Sequence, residues 1–294
     1  MESPRLPRFK RAATVTPFQL TARDHEIIRL VHRHRFLRSP QIVQLISGSQ
    51  QQILRRLKLL YHHAYLERPR CQLDYYHQGG SHPIVYGLGS KAASLLKPEG
   101  LTFREETNQP ARRLFLDHAL LVSDVMVSVE LGCRQRGIRL FTQTELPENT
   151  NGDSRRFRWK AKVNGGLRLS VVPDRIFSLE FQDGNRTLFF LEADRGTMPV
   201  VRSDLSQTSF YRKLLAYEAT WLQSIHRTRF GFNRFRVLTI TTSTARVKSL
   251  IEACSKLKRG RGLFLFAART VLSGDMFSPV WQTGKLGETG SLLD

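Results

Sequence analysis

The chain has 294 residues, 40% of them apolar, enough for one large or two ordinary domains with a core, which excludes compositional disorder. Its 46 Lys and Arg against 25 Asp and Glu leave a net charge of +21, so polyanions are the natural partners. No apolar run approaches the roughly 20 residues of a spanning helix, the basic MESPRLPRFKRAA opening leads into no secretory apolar stretch, and Cys71, Cys133 and Cys254 form neither a disulfide framework nor a zinc box.

Residues 1–19 read as a basic flexible arm. Thr21 is placed to cap a first helix, with Asp24 in its first turn and an apolar stripe of Ile27, Ile28, Leu30 and Val31 ending near His34. RSPQIVQLI starts a short second helix, with Ser39 as cap and Pro40 at the first helical position. A third helix, about 50–62, buries Ile53, Leu57 and Leu60 and turns Gln51, Gln52, Arg55, Arg56 and Lys58 outward. Two strand-like runs around Gly79-Gly80 follow, with Arg68, Arg70, His77 and His82 on or near them, and then a short closing helix. Three helices with a short middle one, followed by a hairpin, are the order of a winged helix-turn-helix over residues 20–97, the third helix reading the major groove. Gln and Arg suit adenine and guanine edges. The plain alternative is a small helical domain with a solvated basic face.

KPEGLTFREETNQPAR is polar and broken by Pro and Gly, so residues 98–112 read as a linker. The second domain spans 113–280, with 281–294 as a C-terminal tail. It opens on a long helix whose Phe115, Ala119, Val122, Met126 and Val129 share one face, ending at Gly137. IRLFTQTEL is a strand carrying Glu145, followed by the basic loop PENTNGDSRRFRWKAKVNGG. LRLSVVPDRIFSLEF is a second strand containing Pro173-Asp174, and GNRTLFFLEAD a third after a turn at Asp183-Gly184. Residues 203–225 form a helix with Phe210, Leu214, Tyr217 and Trp221 on one side. FRVLTITT, TARVKSLIEACSKLK and GLFLFAA add strand, helix and strand.

This αβββαβ order on a mixed sheet, with Pro-Asp on one strand and Glu-x-Asp ending the next, resembles the PD-(D/E)xK nuclease core. The fold class is therefore α/β and multidomain. In that core the resemblance makes Asp174 and Glu192 the metal-binding acids, with Glu145 as an additional one, holding Mg²⁺ or Mn²⁺; a non-catalytic chain would need no cofactor. Mg²⁺ prefers oxygen ligands and would activate a water against a phosphodiester. Asp194 stands where that core keeps its lysine, so Lys213 of the following helix, or Arg195, would supply the cation. His118 is a further candidate, though a histidine beside an apolar face is more often structural.

VPDRIFSLEF, FFLEADRGT and FYRKLLAYEATW, with Lys213 and Tyr217 in the last, are together similar to the replication-relaxation family of plasmid and mobile-element proteins. The resemblance covers about residues 20–241. It implies double-stranded DNA as partner, alongside replication, relaxase or transposition proteins, a homodimer as one arrangement, and a bacterial cytoplasmic, nucleoid- or plasmid-associated setting without membrane. Two alternatives stand beside a DNA-nicking endonuclease. One is a non-catalytic accessory factor that docks or dimerises through its second domain. The other is a ligand-sensing regulator, for which no phosphate-loop or dinucleotide motif speaks.

Overall fold

The computed structural model describes residues 8–13, 15, 17–73, 82–96, 113–146, 157–163 and 166–294. The chain is α/β, with eight α-helices among the described residues and a seven-stranded mixed sheet. It divides into two compact units, Met1–Val127 and Ser128–Asp294. The expected linker, 98–112, lies outside the described residues, as does the Gly79-Gly80 turn with His77.

The first unit opens with α1 (Ala22–His34). Thr21 caps it reciprocally, because its hydroxyl accepts the Asp24 amide while its own amide donates to Asp24 at 2.7 Å. A short strand, β1 (Phe36–Arg38), leads to α2 (Ser39–Leu45) and α3 (Gln50–His62). The cap of α2 is Arg38 rather than Ser39, because the Gln41 side chain accepts the Arg38 amide. The apolar positions Ile27, Ile28, Val31, Ile53, Leu57 and Leu60 are all fully buried, so the helical stripes read from the sequence face the interior.

Strands β2 (Leu66–Glu67) and β3 (Val85–Leu88) join β1 in an antiparallel sheet ordered β1-β3-β2, and α4 (Ser90–Leu96) follows. Among the described residues, the first run of the expected hairpin pairs at Leu66 and Glu67. Two residues on, Pro69 has no amide to donate, and the chain leaves the ladder. Part of the N-terminal arm is docked: Arg11 donates to the carbonyls of Tyr61 and Leu66 and to Glu67.

The division between units falls within α5 (Arg113–Arg136), which ends at Gly137 with φ 63°. Ala119, Val122, Met126 and Val129 are buried, whereas Phe115 is partly exposed. The second unit then contributes β4 (Arg139–Thr142), β5 (Trp159–Lys162), β6 (Arg168–Val171), β7 (Arg175–Glu180) and β8 (Arg186–Ala193). It continues with α6 (Phe210–Leu222), α7 (Ile225–Phe230), β9 (Phe235–Thr241), α8 (Thr244–Ser255), β10 (Phe264–Ala268), β11 (Trp281–Thr283) and β12 (Thr289–Gly290).

The large sheet is ordered β12-β11-β10-β9-β8-β7-β4; β8, β9 and β10 run parallel and their neighbours antiparallel. Seven of the eight residues of β8 are buried, as expected of a central strand covered on both faces.

Three expectations change. LRLSVVPDRIFSLEF is two strands: β6 pairs with β5 in a separate two-stranded ribbon, and β7 enters the large sheet. Pro173 is the reason, since it cannot donate to a ladder. The helix expected over 203–225 starts at Phe210, where Ser209 caps it by accepting the Arg212 amide, and Trp221 on its last turn is partly exposed. Residues 281–294 are no tail: Trp281 is completely buried, and its indole donates to the Met276 carbonyl. A Cβ on Gly132 of α5 would stand 2.4 Å from the Phe277 ring, so only glycine admits this packing. Among the described residues no helix is long and apolar enough to cross a membrane.

Candidate functional site

Two regions carry the expected functional residues. On α3, Gln51, Gln52 and Arg55 are exposed, Lys58 is half-buried, and the helix contains no acid. Arg23 of α1 joins them by donating to the Gln52 side-chain oxygen at 3.2 Å. Nothing local marks Arg23 in the sequence, since its partner is 29 residues away.

Two of the expected DNA contacts are committed elsewhere. Arg56 binds the fully buried Asp24 through two nitrogens, donates to the Gln19 carbonyl and lies 4.5 Å over the Phe18 ring. Burial alone would raise the Asp24 carboxyl, but hydrogen bonds from Arg56 and Thr21, with the Arg56 charge, hold it below its ordinary value. Arg68 is 4% exposed, lies 4.1 Å over the Tyr61 ring and donates to the Tyr86 hydroxyl and the Arg8 carbonyl. Both arginines hold the domain together. Arg70 is exposed.

The second region is the carboxyl end of β8, in the parallel part of the mixed sheet, where α/β folds place their ligands. Glu192 is buried there. One carboxylate oxygen accepts from Lys213 Nζ at 2.5 Å and the other from the Tyr217 hydroxyl at 2.6 Å. Lys213 and Tyr217 are four residues apart on α6, so they share the face turned to β8.

Burial pushes the Glu192 carboxyl up, reinforced by the nearby Asp174 charge and opposed by Lys213. Burial alone would lower Lys213, but the Glu192 charge, with those of Asp174 and Asp194, holds its ammonium above the ordinary value. Each charge thus offsets part of the other's burial cost. Burial and Glu192 hold the Tyr217 phenol well above its usual range, which makes it a hydrogen-bond donor and not a phenolate.

Asp174 follows Pro173 in the break between β6 and β7. Its amide donates to the Leu191 carbonyl, and its carboxylate accepts the Ala193 amide at 2.8 Å, satisfying a ladder donor beyond the start of β7. Asp194 turns to other elements. It accepts from Thr241 at 2.7 Å, from Arg246 of α8 at 2.9 Å and from the Gly196 amide at 3.1 Å. Gly196 sits at φ 73°, a left-handed turn that glycine adopts without strain. In the string EADRGT, then, Glu192 faces α6 while Asp194 ties the following loop to α8.

Glu145 lies past the end of β4 and closes a local turn by accepting from the Thr142 amide and hydroxyl. Its carboxylate is engaged there and not on the strand, contrary to expectation. His118 is half-buried on α5 in the first unit, and Arg195 is half-buried beside Asp194.

A divalent cation needs several free oxygen donors. Both Glu192 oxygens are occupied by Lys213 and Tyr217, an Asp174 oxygen accepts a backbone amide, and Asp194 is closed by Thr241 and Arg246. Among the described residues no group of three or more His, Cys, Asp or Glu is placed to hold a metal. As arranged, this donor set does not fit Mg²⁺ or Mn²⁺.

Comparison with curated proteins and with solved structures returns no match. The family model described as replication-relaxation matches residues 28–234, from α1 to the loop before β9, and so spans α3, Asp174, Glu192 and Lys213. With more than two-thirds of its length matched, the chain belongs to the replication-relaxation family.

Proposed function

We propose that this protein binds double-stranded DNA and acts in the replication or relaxation of plasmid or mobile-element DNA, with the first unit as a winged helix-turn-helix and α3 as its base-reading helix. The observation that carries this reading is the face of α3: Gln51, Gln52 and Arg55 stand exposed on a helix without acids, and their side chains match adenine and guanine edges in the major groove. The family membership supports the setting. Partner proteins of replication, mobilisation or transposition, or a second copy of the chain, would then dock on the second unit, where the half-buried Lys213 is tied to the buried Glu192 and Tyr217.

The test is a duplex selection followed by Arg55→Ala. Loss of a bidentate guanine contact should cost about 1–3 kcal/mol of affinity and relax preference at one position. Arg56→Ala should instead lower thermal stability. Unchanged affinity and preference in Gln51→Ala, Gln52→Ala and Arg55→Ala would remove α3 as the reader.

A second reading, a metal-dependent endonuclease, is favoured by one observation: Asp174, Glu192 and Lys213 gather at the carboxyl end of β8. It requires the Lys213 and Tyr217 bonds to Glu192 to give way to a cation. It predicts nicking of supercoiled plasmid in Mg²⁺ or Mn²⁺ that disappears in Glu192→Gln; equal nicking by both proteins would end it.

A further inference from the structure

We infer that the two-stranded β5–β6 ribbon of the second unit is a DNA-backbone contact separate from α3. The ribbon alternates cleanly. Trp159, Ala161, Leu169 and Val171 are buried, and Lys160, Lys162, Arg168 and Ser170 are exposed. Arg158, one step before the strand, is exposed as well. Successive outward positions on a strand are about 6.8 Å apart, so Arg158, Lys160 and Lys162 form a row on the ribbon's outer face. Arg168 stands directly opposite Lys162 across the strands, and Ser170 opposite Lys160.

That charge pattern is unfavourable for the ribbon alone. Like charges directly opposite on a ladder destabilise it, and residues 157–172 contain no Asp or Glu to offset them. Any small polar residue would keep the outward face wet, so the alternation does not require cations. At the entry to β5, Arg229 of α7 donates to the Arg158 carbonyl at 3.2 Å and adds a further cation there.

The inner face, by contrast, is built to hold the ribbon still. The Trp159 indole donates to Thr220 at 2.8 Å, inside an aromatic group with Phe190, Tyr217 and Phe230. The Gln223 amide accepts from the Lys162 amide at 3.2 Å and donates to the Lys162 carbonyl at 2.7 Å, fastening the strand to the end of α6. A rigid ribbon whose outward charges are all positive fits the phosphate backbone of a nucleic acid. Lys and Arg contact phosphates without reading sequence, and each neutralised phosphate releases counterions.

The choice of duplex DNA as the polyanion rests on the proposed function; the ribbon's role does not depend on α3. The experiment uses the full chain and a quadruple variant, Arg158→Ser, Lys160→Ser, Lys162→Ser and Arg168→Ser, whose circular dichroism and melting must match wild type. Should the quadruple variant melt early, the Lys160→Ser/Lys162→Ser double variant replaces it. Binding to a duplex of shuffled sequence is followed across a salt series. Each ribbon cation that faces a phosphate contributes about 0.9 to the log–log salt slope, so the slope should fall by about 3–4 in the quadruple variant and about 2 in the double. A Lys160→Arg/Lys162→Arg control should keep the wild-type slope.

An unchanged slope with duplex binding intact overturns the ribbon contact and leaves the DNA-binding reading standing. Wild type that binds no duplex overturns that reading and the choice of DNA together. A loss confined to single-stranded RNA or to phosphatidylserine vesicles, with duplex binding unaffected, also overturns the inference.

Discussion

Asp24 and Arg56 show how far a residue's role can depart from its neighbourhood in the chain. Thr21 and Asp24 form a helix start that is legible locally, since cap and acid are three residues apart. Arg56 sits among exposed Gln51, Gln52 and Arg55 and has their residue type, yet it reaches back 32 residues to neutralise Asp24. Helical spacing assigns a face and cannot assign a partner on another helix.

The pair has a pH consequence. The folded Asp24 carboxyl is held below its ordinary value of 3.8. The stability it contributes is therefore fully present above that value and is lost as pH falls through the lower, folded one. Asp24→Asn should flatten this part of the acid limb in a urea titration between about pH 4 and pH 2, while Asp24→Ala at neutral pH should cost about 3 kcal/mol, the low end for breaking a buried pair because Arg56 still reaches solvent. An acid limb equally steep in wild type and Asp24→Asn would show that the pair does not control it.

At the scale of elements, periodicity and punctuation were legible and pairing was not. The apolar run of β8, the turn at Asp183-Gly184 and the helices α3 and α8 stand where their patterns place them. The misread element is the strand through Pro173. Strand-forming apolar residues continue on both sides of the proline, so composition alone suggests one strand, while the missing amide splits it between two sheets.

The same split gives Asp174 a backbone partner that the sequence does not reveal. It sits near Glu192 because a ladder ends there and needs its carboxylate at the Ala193 amide. Lys213 is a second case. It is 21 residues from Glu192 in sequence, so no local pattern pairs them, and α6 brings its ammonium to 2.5 Å from the carboxylate. The C-terminal strands were illegible because each has two or three residues, too few for a period, and their order comes from Trp281 and Phe277 finding buried sites.

For the whole molecule the governing quantity is the net charge of +21. Charge of one sign on that scale destabilises the compact state by self-repulsion and attracts polyanions through the same field. Salt should therefore act with opposite signs on the free protein and on its complex. Surface pairs such as Lys285–Glu288 are exposed and contribute little that screening could remove. Between low salt and about 150 mM the Debye length shrinks from about 30 Å to about 8 Å, which shortens the reach of repulsion between distant cations. The melting temperature of the DNA-free protein should rise over that range, by about 2–4 °C for each kcal/mol of repulsion relieved in a domain of about 150–250 residues, while duplex affinity falls steeply. Scanning calorimetry in chloride and in a second monovalent anion at equal ionic strength separates screening from specific anion binding. A melting temperature that stays flat or falls with salt would mean that local ion pairs, and not the global excess of Lys and Arg, set the electrostatics of the fold.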